Sequence, residues 1–333
     1  MISDNEKKYI GIDIGGTFIK GGVIKEDGTI IAESKIPSES NLGADHTIDN
    51  VNRLIALLLQ ESNLKKEDIC GIGAGVPGMI DSKAGEVTFN NNLGWRKVPL
   101  AKKIADATGL NVKIANDANV AALGETVFGA GKQYNTVAMV TLGTGVGSGI
   151  VLNGKMFEGN RSAGAEIGHT VIEFGGEPCT CGRRGCFEAY SSATALIRDT
   201  KRAMLKHKDS KMWEIGDIEK VDGSTPFAYA KTDVYAKEVV DNYVAHLACG
   251  LCNIANVFRP EAILIGGGVC GAGDDLIIPL QKAIDKELYG GEHGPSVPVR
   301  VASLKNHAGI LGAAALWITE RKDVFGSLVE EKC

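Results

Sequence analysis

No apolar run in this 333-residue chain approaches the roughly 18 residues needed to cross a bilayer, which reads against an integral membrane protein. The opening Met1-Ile2-Ser3-Asp4-Asn5-Glu6-Lys7-Lys8 is polar and lacks the apolar core of a secretion signal. An excess of base is missing too: 36 Lys and Arg face 41 Asp and Glu, a net charge of −5, which reads against a nucleic-acid partner. These absences leave a cytoplasmic globular protein as the expectation. With 44% hydrophobic and 23% charged residues, the chain is ordinary in composition and long enough for two domains.

What the chain has in abundance is glycine, 43 residues. The glycines gather at the ends of apolar, β-prone segments, where tight turns bring backbone close to a ligand. Strands are expected at Tyr9–Ile14, Phe18–Ile24 and Thr29–Ile36, with Asp27-Gly28 as a hairpin turn. The 3–4 spacing of Ile48, Val51, Leu54, Ile55 and Leu58 predicts a helix over His46–Ser62. A strand at Ile69–Val76, a helix at Leu100–Thr108, a strand at Val112–Ala115 and a helix at Asp117–Phe128 follow. The order then restarts: strand Thr136–Leu142, a glycine turn, strand Ser148–Leu152 and an Asn153-Gly154 hairpin. Helices at Ala193–His207 and Asp233–Val257 and a strand at Glu261–Ile265 complete it, with a last helix near Gly309–Thr319. Lys206–Asp222 reads as a surface helical insertion. Two α/β lobes of similar order predict a cleft between them as the ligand site.

Cysteine is concentrated. Glu166-Ile-Gly-His169 is followed by Cys179-Thr-Cys181-Gly-Arg-Arg-Gly-Cys186-Phe-Glu188. His169, Cys179, Cys181 and Cys186 make a Cys3His set suited to closed, structural zinc, and Glu166 and Glu188 bracket it as spare carboxylates. Cys70, Cys249, Cys252 and Cys270 lie in apolar or glycine-rich settings and read as small buried residues. Cys249-Gly-Leu-Cys252 matches a redox motif, but it falls inside a helical pattern, which favours a core role.

Asp13-Ile-Gly15-Gly16-Thr17 and Thr141-Leu-Gly143-Thr144-Gly145 are near-equivalent turns whose amides and hydroxyls suit phosphate. Asp13 would meet phosphate through Mg²⁺. Gly266-Gly267-Gly268 ends a third strand. Gly73-Ala-Gly-Val-Pro-Gly78 fits the dinucleotide fingerprint but opens no helix. Gly149–Lys155 resembles a Walker loop yet has Met156 where Ser or Thr is needed. Asn116-Asp117-Ala-Asn119 stands at a strand end, either as a helix cap or as a catalytic group at the edge of an open sheet.

Taken in order, Asp13–Thr17, Asn116–Asn119, Leu142–Gly145, Glu166–His169, Cys179–Glu188 and Gly266–Gly268 resemble the ROK family (repressors, open reading frames and kinases), over about Tyr9 to Trp317. Asn91-Asn-Leu-Gly-Trp95 and Pro99-Leu100 resemble the family's bacterial glucokinases. The resemblance implies a two-lobed, actin/hexokinase-like (ribonuclease H-like) α/β fold that transfers phosphate from ATP to glucose or a related hexose. It implies lobes at residues 1–116, joined by a C-terminal helix of about 309–333, and at 117–308. It implies Asp117 as the base for the sugar 6-hydroxyl. Asn116, Glu166, His169 and Glu188 would hold the other hydroxyls. Asp13 would place Mg²⁺, Gly15–Thr17 and Gly143–Gly145 the phosphates, and Gly266–Gly268 the adenosine. Hinges are expected near Ala115–Asn119 and Asn306–Ile310, and a homodimer or tetramer is implied. Family repressors carry a helix-turn-helix domain before the first strand. Only eight residues precede Tyr9 here, so a kinase is expected and not a sensor.

Overall fold

Short β-branched runs separated by glycine turns build the first sheet of the computed structural model, which describes residues 6–91 and 93–319. Strands β1 (Lys8–Ile14), β2 (Phe18–Lys25) and β3 (Ile30–Pro37) form an antiparallel meander. Helix α1 (Ala44–Glu61) buries the predicted stripe of Ile48, Val51, Leu54, Ile55 and Leu58 in the core beside Ile12 and Ile19. Strand β4 (Ile69–Val76) runs parallel to β1. The chain does not open a helix at Pro77-Gly78. It makes a small antiparallel sheet of β5 (Met79–Asp81), β6 (Glu86–Asn90) and β7 (Trp95–Val98), which the sequence reading missed. Helix α2 (Leu100–Thr108), strand β8 (Val112–Asn116) and helix α3 (Asp117–Phe128) follow, with β8 parallel to β4.

The second series contains β9 (Val137–Leu142), β10 (Val146–Leu152) and β11 (Lys155–Phe157). Asn153 and Gly154 are both left-handed, at φ 51° and 73°, the geometry of a tight hairpin turn. Helices α4 (Glu188–Ser191), α5 (Ala193–Lys206), α6 (Thr225–Tyr229) and α7 (Val234–Phe258) lead to strand β12 (Ala262–Gly266). Helix α8 (Asp274–Glu287), strand β13 (Val299–Val301) and helix α9 (Ala308–Ile318) complete the order. The rest of the expected C-terminal segment, from residue 320 on, lies outside the described residues.

The two large sheets have the strand orders β3-β2-β1-β4-β8 and β11-β10-β9-β12-β13. Matching β1 with β9 makes these one topology used twice, the repeated α/β plan of the actin/hexokinase-like fold. In each sheet a central strand is flanked on one side by parallel partners, β4 and β8 in the first and β12 and β13 in the second. The glycine-rich motifs therefore fall at the carboxyl ends of parallel strands, the edge where open α/β sheets bind ligands.

The chain divides into two compact units. One comprises residues up to Asn135, Gly149–Ala165 and the chain from Ser303, and the other Thr136–Ser148 with Glu166–Ala302. In the first, α9 meets its neighbours backbone to backbone at three glycines. A Cβ on Gly11 would collide with the Ile310 carbonyl, one on Gly73 with Ala313, and one on Gly312 with Val120 of α3. Trp317 Nε1 donates to the Ile72 carbonyl at 2.9 Å. Helix α3 thus belongs to the first unit by packing, although the sequence reading placed residues from 117 onward in the second lobe.

Residues 206–222 are not a surface helix. They form two short 3₁₀ turns, Lys211–Ile215 and Ile218–Lys220, and fully bury Met212 against Met204, Val221 and Ala236. Gly216, left-handed at φ 82°, separates the turns, and Ser210 Oγ ties the segment to Asp233 at 2.6 Å. Of the four cysteines expected to be buried, Cys252 is, whereas Cys70, Cys249 and Cys270 are half-exposed.

Candidate active site

In the first unit, the ends of β1, β4 and β8 supply the polar groups. Asn116 is the last residue of β8 and has extended backbone (φ −63°, ψ 143°), so its side chain points along the start of α3. Its Oδ1 accepts the Ala118 and Asn119 amides at 2.9 and 3.2 Å, and its Nδ2 donates to the Gly78 carbonyl at 3.1 Å. Asn116, not Asp117, is therefore the cap. Asp117 is the first helical residue, and its Oδ1 accepts the Ala118 amide at 3.0 Å. Burial raises the Asp117 pKa above its usual value, against the lowering by the Ala118 amide, its own amide and the Asn116 side chain. A half-buried carboxyl with a raised pKa and acceptor capacity to spare is suited to taking a proton from a substrate hydroxyl.

Asp13 shares this electrostatic environment. Burial raises its pKa, the Lys20 ammonium opposes that, and the Asp117 charge adds to it. The start of α9 is trimmed to fit it: a Cβ on Gly309 would stand 2.7 Å from the Asp13 Cγ. The adjoining turn Gly15–Thr17 is exposed at Gly16 and Thr17. Its backbone is pinned by Ser38 and Ser40, whose hydroxyls donate to the Gly16 carbonyl at 2.6 and 3.0 Å. Sequence reasoning passed over both serines, which sit in a loop without a recognisable motif.

The second unit repeats the device. The Gly143 carbonyl accepts the Ala193 amide at 2.8 Å, and the Thr144 carbonyl accepts the Thr194 hydroxyl at 2.8 Å. Both turns therefore have their carbonyls committed to protein donors. Gly267, at φ 91°, lies so close to the end of β9 that a Cβ would collide with the Leu142 carbonyl, which brings Gly266–Gly268 beside Gly143–Gly145. Glu188 joins turn and cysteine loop. Its Oε2 accepts the Val146 amide at 3.0 Å, and its Oε1 accepts the Thr180 hydroxyl at 3.0 Å.

The ligand atoms of His169, Cys179, Cys181 and Cys186 all lie within 4.8 Å of one another. Cys181 and Cys186 sulfurs are 3.7 Å apart, and Cys179 Sγ is 3.6 Å from His169 Nδ1. Tetrahedral zinc, with Zn–S about 2.3 Å and Zn–N about 2.05 Å, requires about 3.8 and 3.5 Å for these edges. The set fits zinc. It is not a disulfide, whose sulfurs stand about 2.05 Å apart. Burial, with the neighbouring thiols, pushes Cys186 up to about 12, so a cation is what would let three thiolates share this space. The loop closes through Val171–Cys186 and Pro178–Arg184 bridges and the left-handed Gly182 and Gly185. With Nδ1 facing the sulfurs, His169 keeps Nε2 for another partner. Arg183 donates to the His169 carbonyl at 3.2 Å, a contact the motif reading did not anticipate. Glu166 is exposed, directly before the 3₁₀ turn Ile167–His169.

The ROK family model matches residues 9–320. A glucokinase of Halalkalibacterium halodurans is 37% identical over 327 residues, covering 96% of this chain and 97% of its own. A ROK hexokinase from Thermus thermophilus superposes with a TM-score of 0.80 at 30% identity, covering 94% of this chain and 99% of its own. A ROK family glucokinase from Streptomyces griseus, solved with glucose and AMPPNP, gives 0.75 at 33% identity, covering 93% and 98%. The matched length takes in every motif described above, and the chain belongs to the ROK family.

Proposed function

We propose that this protein is a glucokinase, transferring the terminal phosphoryl group of ATP to the 6-hydroxyl of glucose. The observation that carries this reading is the division of labour at Asn116 and Asp117. Asn116 takes the Ala118 and Asn119 amides at the start of α3, which leaves the Asp117 carboxylate with acceptor capacity for a substrate. Phosphoryl transfer depends on positioning and charge neutralisation, with one carboxylate aimed at the nucleophile.

Asp117 accepts the proton as the sugar oxygen attacks phosphorus. Its raised pKa brings its basicity closer to neutral pH, which strengthens proton acceptance. Asn116, Glu166, His169 Nε2 and Glu188 hold the remaining hydroxyls, because amide, carboxylate and imidazole groups match groups that both donate and accept. Mg²⁺, when bound, neutralises phosphate charge. Asp13 fits it as a hard oxygen donor whose own burial a cation would offset. The turns Gly15–Thr17 and Gly143–Gly145 hold phosphate, and Gly266–Gly268 lies with the adenosine. His169, Cys179, Cys181 and Cys186 would hold zinc, which would fix the loop carrying Glu188 and offer no open position for chemistry.

No helix among the described residues is long and apolar enough to cross a membrane, and a cytoplasmic enzyme, dimeric or tetrameric, completes the reading. A coupled ADP-release assay over glucose, mannose, fructose, N-acetylglucosamine and N-acetylmannosamine tests it. Glucose is expected to give the highest kcat/KM, and absence of ADP release with all five would overturn the kinase reading.

A further inference from the structure

The turn that carries Phe174 is held firmly, yet its side chain has nothing to cover it. The Gly176 amide donates to the Glu173 carbonyl at 3.1 Å, and Gly175 between them is left-handed at φ 75°. That is the pattern of a type II turn with Phe174 at its first corner. The cysteine loop ties the turn down on both sides. The Ile172 and Glu173 amides donate to the Gly185 carbonyl at 2.9 and 3.2 Å, and the Gly185 amide donates to the Glu177 carbonyl at 2.7 Å. Tyr190 Oη accepts the Glu177 amide at 2.6 Å. Phe174 itself is 100% exposed. An aromatic ring in water adds nothing to the fold, but one carried on a fixed turn docks at a reduced entropy cost.

Beside this turn, within the second unit, a groove of about 490 Å³ runs between α5 and α7. Leu196, Ala203 and Val239 give it an apolar floor. Glu173 and Glu177, on either side of Phe174, close one end. There Glu177 meets Arg202 at 2.6 Å and Glu173 meets His246 at 3.8 Å. His207 and Tyr235, stacked with centroids 3.8 Å apart, close the other end. The two helices therefore run antiparallel along the groove. Asp199 and His246 lie toward the Phe174 end, and Lys206 and Glu238 toward the stacked pair. Among the described residues neither Lys206 nor Glu238 forms an ion pair.

A small ligand would fill the groove and leave Phe174 bare, whereas a second copy of the chain uses both. A projecting ring next to a groove on one face is self-complementary, and a two-fold axis satisfies it twice. With the axis crossing the groove midway, near Arg202, each Phe174 reaches the His207–Tyr235 end of the other copy. The same rotation lays α5 antiparallel on α5, with Asp199 of each copy opposite Lys206 of the other, a span of about 10 Å along the helix. It also sets Glu238 opposite His246. Opposite charges thus meet along both helices. We infer that two copies of this chain pair across the α5–α7 groove, each Phe174 seated in the groove of the other. This locates the homo-oligomer contact of the proposed reading and uses nothing of its kinase part.

Sedimentation equilibrium of the full chain without substrates is the test, with thermal melts to verify folding. Phe174→Ala removes a side chain that packs on nothing within one chain. Each ring is expected to contribute about 30-fold to dimer affinity, as an aromatic anchor does, so losing both weakens the dimer roughly 1,000-fold. A tetrameric wild type is expected to halve in mass. Ala203→Trp fills the groove from its floor and is expected to dissociate the dimer similarly. Mixing the two variants restores one complete contact, the ring of Ala203→Trp in the groove of Phe174→Ala. At a concentration where each variant alone has dissociated, the equimolar mixture is expected to recover dimer. Lys206→Glu, on the exposed rim, sets like charges together and should weaken association as well. A Phe174→Ala protein as associated as wild type would overturn the inference. So would a wild type that stays monomeric throughout, or a mixture of folded variants that recovers nothing. A monomer that phosphorylates glucose sinks this inference alone. A mixed dimer recovered from a protein without turnover leaves it standing and counts against the kinase reading.

Discussion

Asn116 caps the helix that Asp117 begins, taking the Ala118 and Asn119 amides on one oxygen while its amide nitrogen holds the Gly78 carbonyl. Neighbouring residues of similar size thereby acquire different tasks. One completes the backbone, and the other is left half-buried with spare acceptor capacity.

Replacing Asp117 by Asn removes the proton acceptor and little else. Turnover is expected to fall about 10²- to 10⁴-fold, the usual span of general base catalysis, with glucose affinity by fluorescence titration within a few-fold of wild type. Near-normal kcat would remove Asp117 from its proposed role.

The same substitution bears on stability, with a definite sign. Burial raises the folded pKa of Asp117, so the native state binds its proton more tightly than the unfolded chain does. Stability from this group is greatest below the unfolded pKa and is lost as pH rises through the folded pKa. At neutral pH the ionised side chain therefore costs stability, and Asp117→Asn should raise Tm. The gain should shrink as pH falls, because the raised pKa lets the native wild type take up its proton before the unfolded chain does. Calorimetric scans at pH 7 and pH 4 compare the two, and a Tm gain that is larger at pH 4 would contradict this account.

Asn116→Ala deletes a cap and is expected to cost about 0.5–2 kcal/mol in urea unfolding. Asn116→Asp keeps the cap but sets a second negative charge beside Asp117. The acidic limb of the pH–kcat profile should move to higher pH in that variant, because a like charge disfavours ionisation of its neighbour.

Glu125 is fully buried in α3 and accepts the Leu304 amide at 2.6 Å, the Ala130 amide at 2.9 Å and the Ser303 hydroxyl at 3.3 Å. Glu125→Ala would strand two backbone donors as well as open a cavity, so a loss of about 2–5 kcal/mol in unfolding free energy is expected. A loss below 1 kcal/mol would show that water replaces the carboxylate.

Cys181→Ser tests the metal. About one zinc per chain is expected by elemental analysis of the wild type, falling in the variant, with a lower Tm and weaker glucose binding together. Weakened zinc without any change in glucose affinity would separate the cysteine loop from the sugar.

Periodicity and turn chemistry made most of this fold legible. Helices α2 and α3 begin and end where spacing put them, and Asp27-Gly28 and Asn153-Gly154 turn as their dipeptides require. The small sheet β5–β7 escaped because its strands are three to five residues long, too short for an alternation to register. Met212 was misplaced because it stands in a charged stretch, where its burial comes from tertiary contacts. The cysteine loop was legible because ligand types and spacing are themselves the signal. Ser38, Ser40 and Arg183 were not, since each acts on a backbone carbonyl brought near only by folding.

The glycine-lined seat of α9 also governs how the chain reaches its native state. Gly11 and Gly73 are made early in synthesis, yet the backbone that fills the space above them comes from Ile310 and Ala313, some 240–300 residues later. Long loops must close before these contacts reward the chain, which slows folding. Until α9 arrives, the first sheet keeps an apolar trough open to other chains, the condition under which aggregation competes with folding. The first unit therefore depends on the last described helix, and its maturation on the ribosome waits for nearly the whole message to be read.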